Sequence, residues 1–150
     1  VDGLYPLCPG AWLAPETVRG GPFASREPNL LRKVGEDRFL PDDFSHEQSL
    51  VLETEEGLVI FNSCSHAGAD NIINEVAAAF PGKTVRAMIG GFHLYNKSEA
   101  EVKTLAQKLE ATGVAYICTG HCTGPKAYEL LARTLGRRLH PLQVGLTMEF

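Results

Sequence analysis

From residue 49 onward the chain alternates strand-like and helix-like stretches, and this rhythm restricts the fold more than any other feature of the sequence. Ser49-Leu50-Val51-Leu52-Glu53-Thr54 and Leu58-Val59-Ile60-Phe61-Asn62 flank Glu55-Glu56-Gly57, which predicts a β-hairpin. Between Asp70 and Phe80, the residues Ile72, Ile73, Val76 and Phe80 fall on one helical face, with Asp70 as the expected N-cap and Pro81-Gly82 as the stop. Thr84 to Ile89 reads as a strand. Ser98-Glu99-Ala100-Glu101 then opens a second helix as a capping box, carried by Val102, Leu105, Ala106 and Leu109 to about Thr112-Gly113. Val114 to Cys118 reads as another strand. Gly124-Pro125 enters a third helix with Ala127, Leu130, Leu131 and Leu135 on one face, and Gly136 ends it. Leu142 to Phe150 is expected to be a last extended piece. Strands and helices of these lengths imply right-handed βαβ crossovers and a largely parallel sheet, so the fold class is α/β.

Residues 1–46 differ in texture. They hold six of the nine prolines (Pro6, Pro9, Pro15, Pro22, Pro28 and Pro41) and the pair Gly20-Gly21, and they read as an irregular lead-in with short extended pieces. The whole is expected to be one domain of 150 residues, regular from residue 47 onward. A hydrophobic content of 44 % with 21 % charged residues excludes a disordered chain. The net charge of −4, without a run of Lys or Arg, argues against a nucleic-acid or anionic-lipid partner. No apolar stretch approaches the roughly 20 residues that span a bilayer, and no leader-like segment is seen, so no membrane partner and a cytoplasmic location are expected. Cys8, Cys64, Cys118 and Cys122 are read as reduced thiols, Cys118 as a small core residue.

In α/β sheets ligands gather beyond the carboxyl ends of the strands. Each of the three strand-to-helix turns here carries a histidine: Ser63-Cys64-Ser65-His66-Ala67-Gly68, Gly90-Gly91-Phe92-His93-Leu94 and Thr119-Gly120-His121-Cys122-Thr123-Gly124. The histidines are 27 and 28 residues apart, one βα unit each, so three of the five imidazoles should meet at one sheet edge. Imidazole is the commonest metal ligand, and such a cluster suits zinc, iron, manganese or nickel better than magnesium or calcium. Cys64 and Cys122 have two further readings: as nucleophiles activated by a neighbouring imidazole, or, for Cys122, as part of a structural zinc site with Cys118 and His121. In the run Asp42-Asp43-Phe44-Ser45-His46-Glu47, the two aspartates read as a solvated loop, while His46 and Glu47 are candidates for orienting a metal-bound histidine. His140 reads as structural.

The run Asp43-Phe44-Ser45-His46-Glu47-Gln48-Ser49-Leu50-Val51-Leu52, taken with the three histidine turns, resembles the metallo-β-lactamase-fold hydrolases, and within them the branch related to the dihydropterin aminobenzene-phosphate synthases. The resemblance implies a four-layer αβ/βα sandwich with a one- or two-metal site at the rim between its sheets. It implies His66 and His121 as metal ligands and His93 near the position of a bridging aspartate, where it would act catalytically. Cys64 and Cys122 would support the ligands beside them, and Gly91, Phe92, Gly120 and Thr123 would line the substrate. The implied cofactor is a divalent transition metal, zinc first, and the implied chemistry is attack of metal-bound hydroxide on a phosphoester, lactone or amide. No His-x-His-x-Asp-His string occurs in the 150 residues, so the chain is expected to represent the second half of such a hydrolase, as a fragment or a subunit. Its expected partners are a small-molecule substrate and either the missing N-terminal half or a second chain, a further copy of itself included. The rival reading is a non-catalytic interaction module that pairs through the uncovered face.

Overall fold

A computed structural model of the chain describes residues 3–17 and 30–150. In chain order these form β1 (Tyr5–Cys8), β2 (Ala11–Pro15), β3 (Leu31–Lys33), β4 (Phe39–Pro41), β5 (Gln48–Thr54), β6 (Gly57–Asn62), α1 (Ala69–Ala79), β7 (Val85–Gly91), α2 (Glu99–Ala111), β8 (Tyr116–Gly120), α3 (Pro125–Leu135) and β9 (Leu139–Pro141). Seven strands make one sheet in the order β1-β2-β5-β6-β7-β8-β9, and β3 pairs with β4 alone. The expected hairpin is β5 and β6, with Leu50 opposite Phe61 and Leu52 opposite Val59.

The sheet is less parallel than the sequence suggests. β6, β7, β8 and β9 run parallel, as helical crossovers require, but β1, β2, β5 and β6 pair antiparallel. The difference comes from the proline-rich lead-in, whose extended pieces add to the β5 edge instead of lying apart from the sheet. Trp12 fastens them there: its indole N–H donates to Glu53 Oε1 at 2.6 Å, and its ring meets Phe80 edge-on at 5.7 Å. Pro22, Pro28 and Gly20-Gly21 lie outside the described residues.

Strand alternation sorts the core into two faces. Val51, Leu58, Ile60, Met88 and Ile117 pack under α1, α2 and α3, while Val59, Ala87, Ile89 and Cys118 face the other way. That second face is covered by Leu142, Met148 and Phe150. The extended piece expected over residues 142–150 adds no strand to the sheet: after Leu142 N–H bonds to Thr119 O, the chain leaves the ladder and lays Leu142, Met148 and Phe150 against this face, while Val144 and Leu146 stay exposed.

Helix ends follow local chemistry. Ser98 forms the full capping box with Glu101. At α1 the N-cap is Gly68 and not Asp70, which sits inside the first turn, buried, with its carboxylate 3.3 Å from Lys108 Nζ. An acid there still complements the helix dipole, which is why the sequence signal lay two residues late. Among the described residues no helix is long and apolar enough to cross a membrane.

Candidate metal centre

Because β6, β7 and β8 are neighbours and parallel, the turns that follow them emerge side by side. Backbone hydrogen bonds lace the turns together. Gly91 N–H donates to Ser63 O at 2.8 Å, and the N–H groups of Leu94 and Tyr95 both donate to Cys122 O, at 3.1 and 3.3 Å. Ser65, His93 and His121 all adopt left-handed backbone angles, with φ of 54, 47 and 51°, and Phe44 joins them at 53°. Non-glycine residues rarely sit there, and such strain concentrates at functional sites.

One donor atom each of Cys64, His93 and Cys122 lies within 4.8 Å of the other two, a group of two thiols and an imidazole drawn from three different turns. The His66 ring lies 4.4 Å from the His93 ring, centroid to centroid, so it borders the same spot. His66 is stacked face to face on Phe44 at 3.7 Å, with the planes 7° apart. His121 is exposed and flanks Gly91, where an added Cβ would lie 3.4 Å from the imidazole Cδ2. His93 N–H donates to Cys122 Sγ at 3.2 Å. Thiolate sulfur and imidazole nitrogen are the donors that zinc and the softer transition metals take, so the residues present fit such an ion.

Burial pushes the Cys122 thiol up to about 11, and the adjacent Cys64 thiol adds to the effect while the His93 N–H opposes it. A thiol held protonated at neutral pH is a poor nucleophile, which disfavours Cys122 as a metal-free catalytic group. Cys118 is fully buried and its thiol is raised by burial alone, as expected of a core residue. His140 stacks on Tyr116 at 3.8 Å and plays the structural part expected of it.

The structure divides the remaining candidates. Glu47 is buried and reaches His66, accepting its backbone N–H at 2.6 Å. His46 points outward, its side chain 71 % exposed and 3.8 Å from the Asp42 carboxylate. Of the proposed substrate-lining residues, Phe92 is in the core and its N–H donates to Thr123 Oγ1 at 3.0 Å, while Thr123 is itself buried against Thr119 Oγ1 at 2.6 Å. Gly91 and Gly120 are positions of close approach: an added Cβ would fall 2.6 Å from Cys122 Sγ at the first and 2.7 Å from Leu142 O at the second. What these four visibly do is pack the turns together.

Three residues that shape the site escaped the sequence reading. Phe44 was hidden in an acidic loop. Asn62, a polar residue closing a buried strand, is the one that carried a signal: its Oδ1 accepts the N–H of Ser65 at 2.7 Å and so fixes the turn. Glu16 lies 46 residues earlier and accepts from Asn62 Nδ2 at 2.5 Å. Burial drives the Glu16 carboxyl up to about 9, with the adjacent Glu47 carboxyl raising it further and Asn62 lowering it.

Comparison with known proteins supports this picture. No family model matches the chain. A relative from Methanocaldococcus jannaschii, named 7,8-dihydropterin-6-methyl-4-(β-D-ribofuranosyl)-aminobenzene-5'-phosphate synthase, is 32 % identical over 120 residues, covering 80 % of this chain and 41 % of the relative. A crystal structure described as a metal-dependent hydrolase of the β-lactamase superfamily superposes with a TM-score of 0.85 at 26 % identity, covering all of this chain and 57 % of that one. The chain thus spans about half the length of the proteins it matches. It has the fold of the metallo-β-lactamase superfamily, and within that superfamily it is similar to the dihydropterin aminobenzene-phosphate synthase branch.

Proposed function

We propose that this chain carries one side of the metal site of a metallo-β-lactamase-fold hydrolase or related synthase. The observation that carries the reading is the convergence of Cys64, His93 and Cys122 within 4.8 Å beside the His66 ring, at the carboxyl ends of three adjacent parallel strands. In this reading His66 and His121 are ligands of a divalent transition metal. Zinc suits the donor set best, with iron, manganese and nickel as alternatives. When bound, such an ion acidifies a water and polarises the oxygen of a phosphoester, lactone or amide.

The chain's own residues do the rest. Phe44 and Glu47 hold His66, one by its ring face and the other by its backbone N–H. His93, next to both His66 and the exposed Tyr95, faces the reacting group of a small-molecule substrate and moves its proton. Cys64 and Cys122 converge with His93 on the same spot, and Cys122 Sγ also accepts the His93 backbone N–H. The remaining ligands come from another part of a longer protein or from a second chain, because a catalytic site of this kind keeps three protein ligands and an open position.

Elemental mass spectrometry on the full-length protein tests the reading. About one transition metal per site is expected, lost in a His66→Ala/His121→Ala double variant, with turnover reduced more than about a hundredfold. Metal content unchanged by the double variant, or absent from the unaltered protein, overturns it.

A further inference from the structure

The polar groups beneath the Ser65–His66 turn form a chain of hydrogen bonds that starts on Glu16. This residue, just past β2, is only 3 % exposed, and its carboxyl neighbours lie on two other segments, residues 47–49 and Asn62. Oε1 accepts from Asn62 Nδ2 at 2.5 Å and from Ser49 Oγ at 3.4 Å. Nδ2 also reaches Ser49 Oγ at 2.9 Å and Gln48 O at 3.3 Å. Glu16 Oε1 and Gln48 O are acceptors that only the NH₂ end of the amide can meet, so together they decide which way round Asn62 sits. The other end, Oδ1, is thereby aimed at the turn, where it takes both Ser65 N–H, at 2.7 Å, and Ser65 Oγ, at 3.3 Å.

The other half of the Glu16 carboxyl faces Glu47. The Glu47 carboxyl lies beside it and raises its proton affinity, and Glu16 Oε2 and Glu47 Oε1 are both buried with no hydrogen-bond partner among the described residues. Glu47 Oε2 is left to accept His66 N–H at 2.6 Å. The amides of Ser65 and His66 are thus held by two side chains, Asn62 and Glu47, that both adjoin Glu16.

We propose that Glu16 is a positioning residue of the site: by accepting from Asn62 and packing against Glu47, it holds the Asn62 side chain that fixes the Ser65 turn and so aims the His66 ring. The proposal depends on the reading above only in naming what the ring is aimed at. Glutamine reproduces the arrangement, with Oε1 accepting from Asn62 and Nε2 beside Glu47. Methionine keeps the volume and removes the acceptor that Asn62 uses.

The test compares Glu16→Gln and Glu16→Met in the full-length protein, first without metal, by backbone amide hydrogen exchange. His66 protection is expected to fall by about tenfold or more in Glu16→Met and to stay within about twofold in Glu16→Gln, with the α2 amides unchanged in both. Metal affinity, read by competition with a chelating dye, is expected to fall by about 10–100-fold in Glu16→Met alone. Equal loss in both variants, or protection retained in Glu16→Met, overturns the proposal. If Glu16→Met does not fold, Glu16→Gln decides: loss of His66 protection in that variant overturns the proposal, and retention supports it. The exchange arm needs no metal, so a protein that binds none refutes the proposed function and leaves this result standing.

Discussion

At the amino ends of β6, β7 and β8 the chain turns through Gly57, Gly82 and Gly113, with φ of 129, 83 and 73°. At the carboxyl ends of the same strands Gly68, Gly90 and Gly124 share the positive-φ positions with Ser65, His93 and His121. The geometric demand is alike, but only the carboxyl ends also meet it with residues that carry side chains. Glycine enters this region without steric cost, whereas a residue with a side chain gives up roughly 1–2 kcal/mol. One end of the sheet is built for stability. The other accepts strain three times over, each time where a side chain borders the thiol and imidazole cluster. Buried polar groups follow the same division, because Glu16, Glu47, Asn62, Ser65, His93, Thr119 and Thr123 all lie at or beneath the carboxyl-end turns.

The largest effect expected from probing this contrast comes from Gly90, near the carboxyl end of β7. A Cβ there would lie 2.0 Å from the backbone oxygen of Asn62, which cannot move without releasing the Ser65 turn. Gly90→Ala should cost more than about 3 kcal/mol in chemical denaturation. Gly82→Ala meets nothing within 4 Å and should cost about 1 kcal/mol through backbone strain alone. Similar losses at the two positions would erase the difference between the ends.

Next in size is the relief of strain. His121 is exposed, so replacing it loses little packing, and His121→Gly should stabilise the metal-free protein by about 0.5–1 kcal/mol while weakening metal binding. A variant that is less stable without metal would mean that the left-handed turn is not strained.

A further effect is a change of slope with pH. Folded Glu16 keeps its proton up to about 9, whereas the ordinary value is 4.5. Between those values the folded state binds more protons than the unfolded one, so stability declines as pH rises across the window. Glu16→Gln has nothing to ionise, and its Tm should fall less between pH 6 and pH 9 than that of the unaltered protein. Parallel declines would place the pH dependence in another group.

Much of this was legible from local pattern. The β5–β6 hairpin, the α2 capping box, the Pro125 entry to α3 and the placing of three histidines at strand-to-helix turns all follow from spacing and turn chemistry, which act over a few residues. What was not legible depends on partners far away in the chain. Nothing in Ala11–Pro15 announces that β2 will pair with β5, and nothing near Glu16 points to Asn62. The direction of side chains in the turns was equally hidden. Strand alternation would send Cys64 and His66 one way and Ser65 the other, but at positive φ alternation no longer holds, and Cys64 came to lie with His93 and Cys122.

By itself, then, the sequence determined the α/β rhythm, the sheet edge at which the imidazoles gather and the kind of ion they suit, because periodicity and residue chemistry are local properties. Only the tertiary structure decided which donor atoms meet, how the lead-in joins the sheet and which buried carboxyl aims His66. Each of these is a contact between segments tens of residues apart, and its geometry is set by packing that no short stretch of the chain contains.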